Sequence, residues 1–499
     1  MMAYIPGQEV IQEVTVLKRK IEDKLLTWKR TKTTQGLLVT GARQVGKTSS
    51  ITDFARKHYE QVITIDFIRQ PHAVDLITGA TDLNDLIVRI TSLAEAPLIQ
   101  ERGTGETGQA KGSEAPLIQE KGARETGQAE GHPENRAHQA RTLLFFDEVQ
   151  RCGDALTWMR YLGEDDRFDV IYSGSMLGVE AFDYRSLAVG TLDVLDMFPL
   201  DFEEFSWALG IDASLWGVVR ECFTARTAVP DFLHERFIQA FYQYVFVGGM
   251  PEAVDTYTRT HDTQAMRVRQ ASILAAYRAD ISRHITGPEF AQQVKTVFEA
   301  VPAQLNKENR RFTISGTEGN SRFNHIRGIF DWLTKAGVVI PVTRATEASF
   351  PLGLSAQASF FKLYLSDVGL LFSALSHLDV ATLLSNAAQM NLGMVMENAV
   401  AQELRAHGHH PLHYFNTKKV GEVDFLISPP ISPTVVPVEV KSGGYSHTHA
   451  ALDRLLDVQN YPIEQAIVLH TDNLETSSAT PSSGTRSVVY LPIYMAGLL

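Results

Sequence analysis

The stretch GLLVTGARQVGKTS, residues 36–49, decides the fold. Its apolar run Leu37-Leu38-Val39 leads into GARQVGKT, which fits the pattern GxxxxGK[ST], and the helical pattern SITDFARKHY follows. Glycines let the backbone curl so that successive N–H groups converge on phosphate oxygens at the start of a helix. The sequence therefore predicts an ATP phosphate-binding loop. Lys47 would neutralise the β- and γ-phosphates, and Thr48 would ligate Mg²⁺. The residues expected to bind the nucleotide are Gly41, Ala42, Arg43, Gln44, Val45, Gly46, Lys47, Thr48 and Ser49.

A second motif, LLFFDEVQ at residues 143–150, supplies two acids at the end of an apolar strand. Asp147 emerges where it can hold Mg²⁺ through water. Glu148 follows directly and is suited to orient and deprotonate the attacking water. Acids also end strands without any chemical role, but their combination with the first motif favours catalysis by Glu148 and Lys47.

Further apolar runs at 62–67, 169–175 and 191–200 predict buried strands. Because they alternate with helical stretches, they indicate a parallel sheet covered on both faces. The strand that ends at Ser175 would place small polar side chains beside the γ-phosphate. Asp66 ends another strand, where it either supports the site or simply caps the strand.

A duplicated segment interrupts this pattern. EAPLIQERGTGETGQAKG, from Glu95, recurs as EAPLIQEKGARETGQAEG, from Glu114. Its polar composition lacks a sustained apolar period, which predicts a flexible insertion over residues 95–131.

The carboxy-terminal part contains four residues whose chemistry belongs together. Glu397 lies in a helical pattern, Asp424 in the strand GEVDFLI, and Glu439 and Lys441 in VPVEVKSG. Side chains alternate along a strand, so Glu439 and Lys441 share one face. Two carboxylates and a lysine on neighbouring strands can bind a divalent cation and activate water against a phosphodiester. A solvated charged face is the alternative.

The order of GARQVGKT, LLFFDEVQ, YSGSMLGV, SLAVGTLDVLDMFPLDFEEF, GGMPEAV and FKLYLSDVGLL resembles a prokaryotic family of AAA+-like ATPases with a carboxy-terminal domain of unknown function. The resemblance covers nearly the whole chain. It implies an α/β fold: a P-loop parallel-sheet ATPase core, a helical and winged-helix-like middle, and a restriction-nuclease-like carboxy-terminal domain. It also gives Ser175 the place of the γ-phosphate sensor. Two features depart from the family pattern, Ala188 in place of a frequent proline and the insertion at 95–131.

The order E…D…ExK is similar to the PD-(D/E)xK nuclease superfamily. By that resemblance Asp424 and Glu439 would be metal ligands, and Lys441 would stabilise charge or position water. Glu397 would assist from its helix.

Composition limits the function classes. A chain of 499 residues suggests about three domains. The net charge of −12 argues against coating nucleic acid by bulk charge, although a local basic groove remains open. Two cysteines cannot form a disulfide framework, no apolar stretch approaches about 18 residues, and the amino terminus has no signal pattern. We therefore expect a cytoplasmic protein without a membrane partner.

These observations predict ATP hydrolysis with Mg²⁺ that drives a conformational switch of the nuclease-like domain. A Mg²⁺-dependent nuclease acting on DNA and regulated by ATP, or a nucleotide-gated scaffold without hydrolysis, are the alternatives. DNA or a protein would bind through the middle and carboxy-terminal domains. An arginine finger from a neighbouring subunit would require a homo-oligomer, and its candidates are Arg151, Arg160 and Arg185. The predicted divisions are a helix in 1–30, the ATPase in 31–205, the helical and winged-helix-like region in 206–350, and the nuclease-like domain in 351–499.

Overall fold

The structure, a computed structural model, describes residues 17–32, 36–93, 142–175, 192–285, 287–305, 312–313, 320–375, 392–429, 432–442, 449–475 and 486–499. The predicted insertion at 95–131 and the arginine candidate Arg185 lie outside these ranges. Within them, no helix combines the length and apolar character needed to cross a membrane.

The first sheet has five strands, all parallel to their neighbours. They are β1 (Gly36–Gly41), β2 (Gln61–Asp66), β3 (Thr142–Asp147), β4 (Phe168–Ser175) and β5 (Leu192–Met197), in the order β2-β3-β4-β1-β5. β1 and β3 are buried along their whole length, as strands covered on both faces must be. The predicted parallel sheet is thus confirmed.

Helices cover both faces of this sheet. They are α1 (Ile21–Thr31), α2 (Lys47–His58), α3 (His72–Thr78), α4 (Leu83–Leu93), α5 (Gly153–Thr157) and α6 (Met159–Gly163). Leu37 and Val39 of β1 pack with α1 and α2, whereas Leu38 packs with α3 and α4. This alternation follows from the two-residue repeat of a strand.

The amino-terminal helix is shorter than the sequence predicts. It begins at Ile21, and residues 17–20 are not helical, while the rest of the predicted segment lies outside the described residues. The backbone N–H of Lys20 donates to Glu204 Oε1 at 2.6 Å instead of to a helical carbonyl. A tertiary contact therefore replaces the first helical turn.

The middle of the chain is helical, as predicted. Its helices are α7 (Phe202–Ala208), α8 (Ala213–Ala225), α9 (Asp231–Val247), α10 (Pro251–Thr260), α11 (Thr263–His284), α12 (Pro288–Leu305) and α13 (Asn320–Lys335). Gly337 follows α13 with a φ of 69°, a conformation that glycine adopts without strain, and the predicted strand begins at Val339.

A second sheet has eight strands among the described residues. They are β6 (Phe312–Thr313), β7 (Val339–Ala345), β8 (Ala356–Leu365), β9 (Leu412–Thr417), β10 (Gly421–Ile427), β11 (Val436–Val440), β12 (Gln465–His470) and β13 (Ser487–Pro492). Their order in the sheet is β13-β12-β11-β10-β9-β7-β8-β6. The accompanying helices are α14 (Val368–Leu375), α15 (Gly393–Ala406) and α16 (Ala450–Leu456).

The second sheet does not break at the predicted domain boundary. β7 pairs antiparallel with β8 and parallel with β9, so the division at 350/351 falls between two paired strands. One apolar core also includes residues from both sides of that division. The winged-helix-like and nuclease-like descriptions of these parts stay predictions.

Candidate functional site

The glycine-rich loop lies between β1 and α2, as its sequence predicts. Gln44 and Gly46 have positive φ angles of 66° and 95°, so the backbone reverses direction within the loop. A Cβ at Gly41 would collide with the carbonyl oxygen of Met197, so only glycine fits there. The loop therefore turns directly into the start of α2, where the free backbone N–H groups and the helix dipole favour binding of an anion.

Lys47 is buried in this loop, with 6% of its surface exposed. Its Nζ donates to the carbonyl oxygens of Gly41 at 3.1 Å and Ala42 at 2.9 Å. Burial lowers the pKa of Lys47 to about 8, although the carboxylates of Glu148 and Asp147 favour the charged form. The ammonium is therefore held beside the loop, within reach of a bound phosphate.

Asp147 connects the two motifs. Its Oδ2 accepts a hydrogen bond from the hydroxyl of Thr48 at 2.7 Å, and its Oδ1 accepts from the Glu148 backbone N–H at 3.0 Å and from the Ser173 hydroxyl. A hydroxyl and a carboxylate converging at the loop are hard oxygen donors of the kind that Mg²⁺ prefers. The residues that the sequence assigns to Mg²⁺, Thr48 and Asp147, thus fit that ion.

Glu148 faces the same cavity as Lys47. Its φ of 58° turns the chain sharply after β3, and its Oε2 accepts a hydrogen bond from the side-chain amide of Gln150. The cavity has a volume of about 100 Å³, and Ser175 and Arg151 also line it. The structure therefore brings the proposed base, lysine and sensor together around one space.

One side of this cavity is lined by α11, which is distant from the loop in sequence. Asp280 of α11 forms an ion pair with Arg43 of the loop, and the Tyr277 hydroxyl donates to the Arg43 carbonyl oxygen at 3.2 Å. None of the sequence motifs above includes Tyr277 or Asp280, so the sequence analysis missed these contacts. Their three-residue spacing, which places both on one face of a helix, is the signal that could have found them.

Two further candidates from the sequence, Arg160 and Asp66, are not among the residues that line the cavity. Arg160 is largely exposed and pairs with Glu164 at 3.1 Å, outside the cavity lining. Asp66 Oδ1 accepts backbone N–H bonds from Ile68 at 2.9 Å and Arg69 at 3.0 Å. Asp66 therefore caps the turn after β2, which is the simpler of its two predicted roles.

The four carboxy-terminal candidates also lie near one another. Asp424 Oδ2 accepts the Val440 N–H at 2.9 Å, and Lys441 Nζ lies 2.9 Å from Glu439 Oε1. Burial and the nearby Asp424 carboxylate raise the pKa of Glu439 to about 7, against the Lys441 ammonium. Glu397 is buried on α15, and its Oε2 accepts the Tyr364 hydroxyl at 2.9 Å.

Sequence reasoning missed a fifth member of this group, Lys362 of β8. Its Nζ lies 2.8 Å from Glu422 Oε1, 3.6 Å from Glu397 Oε2 and 3.7 Å from Asp424 Oδ1. Burial alone would lower the pKa of Lys362, but Tyr364 and the carboxylates outweigh it and raise that pKa. A lone lysine in the apolar run FFKLYL is the signal that could have drawn attention to it.

Family models match three parts of the chain. An AAA domain matches residues 115–206, and two domains of unknown function, DUF8612 and DUF4143, match residues 238–381 and 392–494. No curated protein matches the chain. The AAA match includes β3 with Asp147 and Glu148. Together with the loop and the five-stranded parallel sheet, it supports assignment of this part of the chain to the P-loop ATPases.

Solved structures with partial likeness share little sequence with this chain. A Walker-type ATPase of Pyrococcus abyssi is 13% identical, with a TM-score of 0.38, covering 72% of this chain and 96% of its own. The Orc1 protein of Aeropyrum pernix in complex with DNA is 11% identical, with a TM-score of 0.27, covering 76% and 95%. Cdc6p of Pyrobaculum aerophilum is 10% identical, with a TM-score of 0.23, covering 77% and 96%. The AAA family match, rather than these likenesses, carries the assignment.

Proposed function

We propose that the chain binds ATP with Mg²⁺ at the loop 41–49 and hydrolyses it. The observation that carries this proposal is the convergence of both motifs: the Thr48 hydroxyl lies 2.7 Å from Asp147 Oδ2, and Glu148 and Lys47 line one cavity. Phosphate-binding N–H groups, a lysine, a hydroxyl–carboxylate pair and a base are the parts that phosphoryl transfer to water requires.

Each side chain has a defined task in this proposal. Lys47 exchanges its two carbonyl acceptors for phosphate oxygens. Thr48 and Asp147 hold Mg²⁺, which when bound neutralises phosphate charge. Glu148 accepts a proton from the attacking water, and the Gln150 amide keeps its carboxylate oriented towards the cavity.

Charge that develops on the γ-phosphate needs further partners. Ser175 and Arg151 line the cavity and can meet that phosphate. An arginine from a neighbouring subunit would act in the same way, which makes a homo-oligomer part of the proposal.

We further propose that nucleotide binding switches the position of the rest of the chain. The supporting contacts are those of α11, because Asp280 and Tyr277 both bond to Arg43 of the loop. A phosphate that reorganises the loop must also disturb these contacts, and α11 packs against α12 and α14. The proposed partner is DNA or a protein bound to the middle and carboxy-terminal parts, and the movement would change how that partner is held.

Binding of a fluorescent ATP analogue to the full chain tests this function, with Lys47→Ala compared against Lys57→Ala. Lys57 lies on the same helix but is half-exposed and pairs with Glu22 and Asp53. We expect Lys47→Ala to weaken binding at least about tenfold, because it removes the buried ammonium, a loss of about 1.4 kcal/mol or more. Lys57→Ala should bind as the wild type does. A wild-type chain that fails to bind ATP, or equal binding by Lys47→Ala, would contradict the proposal.

A further inference from the structure

Three carboxylates lie around Lys362 in the carboxy-terminal part, and a fourth interacts electrostatically with one of them, Asp424; we call these four the carboxylate cluster. Its members come from α15, β10 and β11: Glu397, Glu422, Asp424 and Glu439. Three of them place an oxygen between 2.8 and 3.7 Å from Lys362 Nζ. The lysine side chain has no exposed surface, so it does not reach solvent.

The Lys362 ammonium supplies these carboxylates with the positive charge that a metal ion would otherwise supply. Glu397 is buried with Lys362, and the other three carboxylates are partly exposed. Carboxylates brought this close together repel one another, and a cation among them relieves that repulsion. Mg²⁺ would need oxygen ligands at about 2.1 Å in a near-octahedral arrangement. Oxygens of Glu397, Glu422 and Asp424 that could serve as ligands already lie around the Lys362 ammonium, and Glu439 Oε1 is paired with Lys441. A divalent cation among the same oxygens would be forced against a buried positive charge.

Two tyrosines also lie beside Lys362 and its partners. The Tyr414 ring centroid lies 5.2 Å from Nζ, and the Tyr364 hydroxyl binds Glu397 Oε2, one of the oxygens that face the ammonium. Within the residues that the structure describes, no group of three or more histidine, cysteine, aspartate or glutamate side chains is arranged to hold a metal ion. The predicted metal ligands therefore do not fit a divalent cation.

We propose that Lys362 is a built-in cation that takes the place of a divalent metal in the carboxylate cluster. The carboxy-terminal part then keeps its carboxylates together without Mg²⁺ and cleaves no phosphodiester at this position. Lys441, at the rim beside Glu439, does not fill that central place. This inference is independent of ATP hydrolysis at the loop.

Mn²⁺ titration of the nucleotide-free full chain, followed by electron paramagnetic resonance of the free ion, tests this proposal. The wild type and Asp424→Asn should take up the same amount of Mn²⁺, because the cluster of the wild type binds none. Lys362→Met should gain one Mn²⁺ site, and Mn²⁺ should raise its Tm. Lys441→Met is the matched control and should gain no site, because Lys362 is still present.

Uptake of one Mn²⁺ by the wild type that is lost in Asp424→Asn would overturn the proposal. A new Mn²⁺ site in Lys441→Met would overturn it as well, since the ammonium of Lys362 would then not decide occupancy. Should Lys362→Met fail to fold, the comparison of the wild type with Asp424→Asn decides the question by itself.

Discussion

Gly249 and Gly369 lie where two backbones touch. A Cβ at Gly249 would lie 2.7 Å from the Leu200 backbone nitrogen, and one at Gly369 would collide with the Val247 backbone. Asp367 secures this contact, because its Oδ2 accepts the Gly249 N–H at 2.6 Å and its Oδ1 accepts that of Leu370 at 2.9 Å. The motifs GGMPEAV and FKLYLSDVGLL thus meet in space at this close backbone contact.

We predict that Gly249→Ala lowers the free energy of unfolding by about 1–3 kcal/mol, because the added methyl group must push the two backbones apart. Gly217→Ala is the matched control: a Cβ there meets nothing within 4 Å, in the interior of α8. The control should be neutral or more stable by up to about 1 kcal/mol, since alanine favours helix. Urea denaturation measures both variants. Equal stability of Gly249→Ala and the wild type would show that this contact is not tight.

At the scale of elements, α11 connects the nucleotide loop to the rest of the molecule. Its Asp280 places a carboxylate beside the cavity where phosphates would bind, and it holds the Arg43 guanidinium. The Asp280 carboxylate disfavours binding of a polyphosphate in two ways: it repels the phosphates, and it pairs with the Arg43 guanidinium that could otherwise contact them. α11 therefore stabilises the nucleotide-free arrangement.

Asp280→Asn should tighten ATP binding about two- to fivefold, as expected for a part-exposed ion pair worth about 0.5–1 kcal/mol. The control is Glu299→Gln, which removes the exposed Arg278–Glu299 pair between α11 and α12 and leaves the cavity unchanged. Calorimetric titration with ATP gives both affinities. Weaker binding by Asp280→Asn would mean that Asp280 supports the nucleotide instead of opposing it.

The elements differ in how well the sequence predicts them. The five parallel strands could be predicted because each is a short apolar run, and the glycine loop and the acids after LLFF fix which ends form the site. The contacts of α11 with the nucleotide loop could not be predicted, because an amphipathic pattern does not say which polar residues of that helix face Arg43. Lys362 was missed for a similar reason: its partners Glu397 and Asp424 are far away in sequence, and only the tertiary fold unites them.

At the scale of the whole molecule, the buried carboxyl group of Glu403 on the carboxy-terminal helix α15 joins that helix to α7 and α9 of the helical middle. Glu403 Oε1 accepts the Phe202 N–H at 2.8 Å and the Tyr244 hydroxyl at 2.9 Å. Burial and the Asp201 carboxylate raise the pKa of Glu403 to about 7, whereas His407 and Lys20 oppose this. The folded chain therefore keeps a proton here that the unfolded chain releases near its ordinary pKa of 4.5.

The sign of the pH dependence follows from that proton. A carboxyl whose pKa is raised by folding stabilises the folded state below its unfolded value, and this contribution is lost as the pH rises from about 4.5 to about 7. Glu403→Gln keeps the acceptor oxygen but cannot titrate, so its Tm should fall less than that of the wild type across this window. Parallel Tm–pH profiles of the two proteins would contradict this assignment.

Phosphate release from ATP by the full chain with Mg²⁺ tests the central claim most directly. The wild type should turn over ATP, and Glu148→Gln should bind ATP but release phosphate about 10²–10⁴-fold more slowly, because it lacks the base. Glu164→Gln, whose side chain pairs with Arg160 away from the cavity, should retain wild-type turnover. No turnover by a wild-type chain that binds ATP, or undiminished turnover by Glu148→Gln, would contradict the account.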